Sequence, residues 1–271
     1  MGNLGDRMKD YERVSDARLP PRIPLIIRVD GRAFHTLTKG MPRPWDDRLV
    51  MAMTGMAAAM CRELDGCKFA YVQSDEASFL LTDWDRYQTQ GWFKYRVQKI
   101  VSMASAIATD EFGRLYRVLY RGTKFEERRP RFDARVATYP THEVVNYMIW
   151  RQQDATRNSI QMLAQSKFSH KQCHGKNTGQ LQEMLHSEFG INWNDTPTHL
   201  KRGTAIYKRE EPDYEANFGV DGQTPHKVEG QTPKTRAMWG VDVEPPIFTK
   251  DREFVGRHLR DVFWKEEGED T

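Results

Sequence analysis

The chain has 271 residues, with 41 basic against 38 acidic side chains and a formal net charge of +3. That leaves room for a sizeable core and excludes a protein held to nucleic acid by bulk charge alone. Aromatic residues at 11% and charged residues at 29% exclude a disordered tail and fit a soluble globular chain.

The first segment, MGNLGDRMKDYERV, is charged and lacks the apolar stretch of a secretory signal. No apolar run approaches the roughly 20 residues of a membrane helix, so no membrane association and a cytoplasmic location are expected. Residues 23–30 read as a strand, by β-branched content and the stop at Gly31. A loop with Gly40, Pro42 and Pro44 follows. Asp46 or Asp47 then caps a helix whose Leu49, Met53, Met56, Met60 and Leu64 recur at helical spacing. These methionines read as core. Asp65-Gly66 ends the helix.

Two strands come next, KFAYVQ and ASFLLT, joined through Ser74-Asp75-Glu76 as a tight hairpin. A helix from about Trp92 to Thr109 buries Phe93, Val97, Ile100, Val101, Ala104 and Ile107, with Lys94, Arg96 and Lys99 on its other side. The strand FDARVATYP closes this half at Pro140. The order β-α-β-β-α-β is the ferredoxin-like, split βαβ arrangement: an α+β fold with an antiparallel sheet and its helices on one face. A domain over residues 1–140 is therefore expected.

Residues 141–271 read as a mainly helical region with one hairpin. A helix from about His142 to Phe168 aligns Arg151, Asp154, Asn158 and Gln161 at three- and four-residue steps. That stripe suits a base or ribose, or simply an exposed face with an ion pair. A further helix over 177–189 stops at Gly190, and INWNDTPTHLKRGTAIYKRE reads as a loop entering a hairpin. Gly-Gln-Thr-Pro at 222–225 recurs at 230–233 as part of a flexible loop. Lys250 to Trp264 is expected to form an amphipathic helix. Cys61, Cys67 and Cys173 make no CxxC pair, so reduced thiols are expected. His170, Cys173 and His174 lack a nearby fourth ligand for zinc and read as a polar loop.

Asp30 ends the first strand and Asp75 sits in the hairpin turn. In a split βαβ sheet the first strand lies beside that hairpin, so the two carboxylates should meet at one edge. Two acids that close repel unless one is protonated or a cation lies between them. Magnesium takes oxygen ligands and completes its shell with waters and substrate phosphates. A free carbonyl at Gly31 offers a third oxygen. Gly31, Arg32, Ala33, Phe34 and His35 form a turn whose N–H groups can cradle a triphosphate. Arg43, Lys94, Arg96 and Lys99 can balance its charge. Taken singly, each acid is an ordinary turn residue; the topology makes them a candidate metal site.

RVDGRAFH, YVQSDEASFLL, GWFKYRVQK, FDARVATYP, YMIWRQQDATRNSI and FGINWNDTPTHLKRGTAIYK occur in that order. In this the chain resembles the tRNA-His guanylyltransferase family, specifically its guanylyltransferase-like branch, over about residues 5–208. The resemblance implies a polymerase-type palm and nucleotide addition in the 3′-to-5′ direction at a tRNA 5′ end. That end is first activated with ATP or GTP. It also implies two magnesium ions on Asp30, the Gly31 carbonyl and Asp75. Residues 30–35 with Ser74 and Asp75 would bind nucleotide. Arg43, Lys94, Arg96, Lys99 and Arg135 match basic positions near nucleotide phosphates or the tRNA end. Asp154, Asn158, Lys201 and Arg202 fall in motifs tied to activity or tRNA contact, and a homotetramer is implied.

Two departures matter. Thr156-Arg157-Asn158-Ser159 stands where tRNA-His enzymes carry His-Ile-Asn-Asn, and Arg43 replaces a lysine of the loop after the first strand. The first favours template-directed repair of 5′-truncated tRNA over addition of G at position −1 of tRNA-His. Remoter alternatives are a nucleotide cyclase on a similar palm and a non-catalytic tRNA-binding protein.

Overall fold

A six-stranded antiparallel sheet runs through the chain, seen in a computed structural model that describes residues 3–212 and 235–260. An exposed helix α1 (Leu4–Arg13), capped by the Asn3 side chain, leads into β1 (Leu25–Gly31). One helical turn, α2 (Phe34–Leu37), follows β1. Helix α3 (Asp47–Glu63) is capped by Asp46, whose carboxylate accepts from the Arg48 N–H at 3.0 Å. It stops before Gly66, whose φ of +80° permits the reversal into β2 (Cys67–Gln73). A two-residue turn links β2 to β3 (Glu76–Leu81).

Helix α4 (Val97–Leu119) starts later and runs further than the sequence suggested. Trp92–Tyr95 is a separate 3₁₀ turn with positive φ at Phe93, Lys94 and Tyr95, so Lys94 and Arg96 precede the helix. The helix continues because Phe112 and Tyr116 keep the buried period going. Strand β4 (Phe132–Thr138) and α5 (Thr141–Lys167) agree with expectation to within a residue or two. Beyond α6 (His170–Cys173), helix α7 (Thr178–Phe189) opens with an Asn177–Gln180 capping box and closes on Gly190 in the left-handed region.

The second half then returns to the sheet. After α8 (Thr198–Arg202), strand β5 (Thr204–Pro212) pairs with β2, and β6 (Thr235–Asp242) pairs with β5. The sheet order is β4-β1-β3-β2-β5-β6. Gly203, with φ +78°, admits this junction: a Cβ there would lie 2.5 Å from the Val72 carbonyl. Among the described residues of the expected terminal helix, α9 (Glu253–Gly256) is followed by a 3₁₀ turn at Arg257–Leu259. Residues 261–271 and the Gly-Gln-Thr-Pro repeats lie outside the described residues.

Strand alternation sends successive side chains to opposite faces. One face, with Ile27, Val29, Val72 and Phe79, packs on Met53, Met56 and Met60 of α3 and on Ile100 and Phe112 of α4. Full burial of each such side chain stabilises by about 1.5–3 kcal/mol. The two palm helices thus share one face, as expected. The other face, with Ile26, Phe69, Tyr71 and Leu80, is covered by Val144 and Met148 of α5 and by Phe248. No described helix is long and apolar enough to cross a membrane.

Candidate active site at the rim of β1 and the β2–β3 turn

Pairing of β1 with β3 places Asp30 opposite Glu76, and the Gly31 N–H donates to the Asp75 carbonyl at 2.9 Å. The hairpin turn at Ser74-Asp75 therefore sits against the end of β1. Pairing with β4 sets Asp133 on the other side of Asp30. Glu76, Asp30 and Asp133 form an acidic row along the edge of the sheet face that α5 covers.

The electrostatics separate these acids. Burial first, then the nearby Asp30 charge, pushes the Asp75 carboxyl up to about 6. Burial and then Asp133 raise Asp30. Neither aspartate has an ion-pair partner among the described residues. Glu76 does: Arg151 Nη1 donates to both its oxygens at 3.1 and 2.9 Å, and Arg28 stands 3.7 Å away. Burial still raises Glu76, so the arginines only partly offset its desolvation. The nearest cations pair with Glu76; Asp30 feels Arg135, Arg28 and Arg151 without an ion pair, and burial still leaves both aspartates raised.

That arrangement suits a divalent cation. No turn or loop donor reaches the Gly31 carbonyl among the described residues, so this oxygen stands at the strand end beside the Asp75 turn. No three His, Cys, Asp or Glu side chains converge among the described residues. A metal here would draw on two carboxylates and a carbonyl, with waters and phosphates supplying the rest, which is magnesium's habit. His170 and His174 face one another at 5.9 Å between ring centres and recruit no third ligand.

A cleft of about 550 Å³ opens beside the turn, lined by Gly31, Ala33, His35, Arg43, Ser74 and Asp75 among others. Most of the expected nucleotide-binding set is thus gathered in one place. The backbone cradle is smaller than expected. The Arg32 N–H is spent on the Arg131 carbonyl and that of Gly31 on Asp75. The N–H groups of Ala33, Phe34 and His35 have no partner among the described residues, and Ala33 sits at φ +55°. Phe34 is buried against Phe112 and Phe132, at 5.5 and 5.2 Å, so it offers only its backbone. A Cβ on Gly31 would strike the Phe34 ring at 2.4 Å.

The other expected contacts scatter. Arg96 donates to Asp16 at 2.6 Å, and Lys99 lies over the Phe93 ring, both away from the cleft beside Asp75. Lys94 belongs to the same 3₁₀ segment. Arg135 is exposed opposite Arg28 on the edge strand β4. Asp154 is bridged by Arg151 at 3.1 Å, by Arg157 and by Asn158. Asn158 also lines a small second pocket with Gln73, Ser74 and His199. Lys201 turns inward: it is 8% exposed, and its ammonium donates to the Asn194 carbonyl. In this structure it packs over the Trp193 ring with its ammonium engaged by the Asn194 carbonyl. Arg202 gives its carbonyl to the Tyr71 hydroxyl. The Glu76–Arg151 pair escaped the sequence reading, which placed Glu76 in the turn; its only signal was Arg151 in the polar stripe of α5.

Comparison with known proteins supplies the family. The model described as tRNAHis guanylyltransferase matches residues 5–140, and that of the Thg1 C-terminal domain matches residues 142–244. The chain belongs to the tRNA-His guanylyltransferase family. It is therefore a nucleotidyltransferase on a palm-type fold. Among solved structures, a bacterial tRNA(His) guanylyltransferase-like protein in complex with ATP shares 40% identity at a TM-score of 0.82, over 95% of this chain and 99% of that one. A second structure of that description, in complex with GTP, shares 38% identity at a TM-score of 0.76, over 94% and 98%. A probable tRNA(His) guanylyltransferase of Mus musculus is 28% identical over 97% of this chain and 86% of its own length. The corresponding protein of Dictyostelium discoideum is 31% identical over 68% and 75%.

Proposed function

We propose that this chain activates the 5′ end of a tRNA with ATP or GTP and then joins a nucleotide to it, with guanylyl addition to tRNA-His as the main reading. The names of its relatives support guanylyl addition more than the repair reading that the sequence favoured. Repair of 5′-truncated tRNA stands second, supported by Thr156-Arg157 in place of the His-Ile expected of tRNA-His enzymes.

One observation carries the proposal: Asp30 and Asp75 meet at the strand end with no ion-pair partner among the described residues, beside the Gly31 carbonyl and a cleft large enough for a nucleotide. Magnesium held by Asp30, Gly31 and Asp75 would neutralise phosphate charge and stabilise the oxygens of an in-line displacement. The free N–H groups of Ala33, Phe34 and His35, with Arg43, would orient the triphosphate. Activation joins the RNA 5′-phosphate to the α-phosphate of the triphosphate and releases pyrophosphate. The 3′-hydroxyl of the incoming nucleotide then attacks the activated end and releases the nucleoside monophosphate. Lys94, Arg96, Lys99 and Arg135 remain candidate RNA contacts at a distance from the cleft. A cytoplasmic homotetramer is the assembly that the family resemblance supports.

The test uses tRNAs with a 5′-monophosphate, one full-length tRNA-His lacking G at −1 and one truncated at its 5′ end, incubated with ATP, labelled nucleotides and magnesium. G added only to tRNA-His supports the main reading. Extension matched to any template base supports repair. Full addition by Asp30→Ala or Asp75→Ala would reject the site.

A further inference from the structure

Trp150 stands on α5 with half of its surface open, a costly place for the largest aromatic side chain. Three side chains bracket it there. The Arg151 guanidinium lies 3.7 Å from its ring centre, Tyr147 meets it edge-on at 5.6 Å, and Arg28 sits over it at 5.9 Å. Arg151 and Arg28 are themselves fixed by the Glu76 carboxylate.

The position of this platform is informative. Arg28 lies two residues before Asp30 on β1, and the alternation of the strand puts both on the face that α5 covers. Arg135, 63% exposed at its side chain, is the cross-strand partner of Arg28 on the edge strand β4. A flat aromatic surface flanked by guanidinium groups is thus tied, through Arg28 and Arg151, to the strand end and the Glu76 carboxylate of the acidic rim. Aromatic faces with interleaved arginines are the chemistry that binds an unpaired or terminal nucleobase and its phosphate.

We propose that Trp150, supported by Arg28 and Arg151 and with exposed Arg135 on the neighbouring strand, is a stacking platform for a nucleobase at the reaction centre. The inference rests on the tRNA-modifying function proposed above. The base is either the terminal base of the RNA or that of the incoming nucleotide, and both present the same π face.

The experiment compares Trp150→Leu and Trp150→Phe with the wild-type protein. Loss of one base–aromatic stack should raise KM by on the order of tenfold in Trp150→Leu, with kcat changed far less, and Trp150→Phe should recover most of the loss. A rise confined to the KM for RNA assigns the terminal base; a rise confined to the KM for the incoming nucleotide assigns that base. RNA carrying 2-aminopurine at its 5′ terminus gives a second readout: its fluorescence should be quenched on binding to wild type, and the quench lost in Trp150→Leu if the terminal base is the partner. KM values within twofold of wild type in Trp150→Leu would overturn the proposal, as would equal losses in both variants. A change in assembly mass by light scattering accompanying the loss would also overturn it, making Trp150 a subunit contact. If the wild-type protein adds no nucleotide to any tRNA, the functional reading fails, while the 2-aminopurine measurement still tests the platform.

Discussion

Replacing Asp75 by Asn should destroy catalysis and stabilise the metal-free fold. The Asp75 carboxyl titrates near 6 in the folded chain against an ordinary value of 3.8, chiefly because it is buried and then because Asp30 stands beside it. A folded-state value raised in this way contributes stability below about pH 4 that is lost as pH rises through 6. Ionising Asp75 at pH 8 thus costs on the order of 2 kcal/mol, discounted for its partial exposure. Asparagine keeps the shape and removes the charge. In EDTA at pH 8, Asp75→Asn should melt a few degrees above wild type, at roughly 2–4 °C per kcal/mol for a chain of this size. The advantage should shrink toward zero near pH 4. Magnesium should reverse the order at pH 8 by stabilising only the wild-type protein, which alone keeps both carboxylates. Paired scanning calorimetry with and without magnesium measures all of this. A variant less stable than wild type in EDTA at pH 8, or an equal response of both proteins to magnesium, would refute the claim that uncompensated charge defines the site.

Arg151→Met should be far more disruptive, because it leaves buried Glu76 without its partner at 2.9 Å. Urea unfolding should show a loss of about 3–5 kcal/mol, largely recovered by adding Glu76→Gln; a loss under 1 kcal/mol would mean the pair is not holding the turn. Lys201→Met should lower stability while leaving the salt dependence of tRNA binding unchanged, since the ammonium already serves the Asn194 carbonyl. A salt slope shallower by about one would instead return Lys201 to the RNA contacts.

The palm was legible because its signals are local and repeated. Met53, Met56 and Met60 mark one helical face, and the two apolar runs around Ser74-Asp75 mark a hairpin. Their order then fixed which strand ends meet, and so the juxtaposition of Asp30 with Asp75. What escaped depends on partners remote in sequence. Residues 204–212 read as half of a hairpin, but nothing in them names β2 as their neighbour. Lys201 looked like a surface cation beside Arg202; the Trp193 ring at 5.6 Å and the Asn194 carbonyl that draw it inward belong to the preceding turn. Lys94 seemed helical because the apolar period runs through it, whereas three successive positive φ values break the helix before it starts.

The division of labour on the α5 face of the sheet explains why one helix carries so much. Toward β2 and β5 that face is apolar: Phe69, Tyr71 and Ala205 pack beneath Phe248 and Phe254. Toward β1 and β4 it turns polar, with Arg28, Asp30, Asp133 and Arg135 in adjacent strands. Helix α5 spans both halves. Val144 and Met148 anchor it in the apolar half, which fixes its rotation, and Arg151 on the same buried face must then meet Glu76. With Arg151 committed, Trp150 is turned to the open edge and Asp154 lies one helical turn on. The family boundary near residue 140 therefore cuts through one working unit. The first half supplies the two aspartates, and the second supplies the arginine that neutralises a third acid, Glu76, beside them.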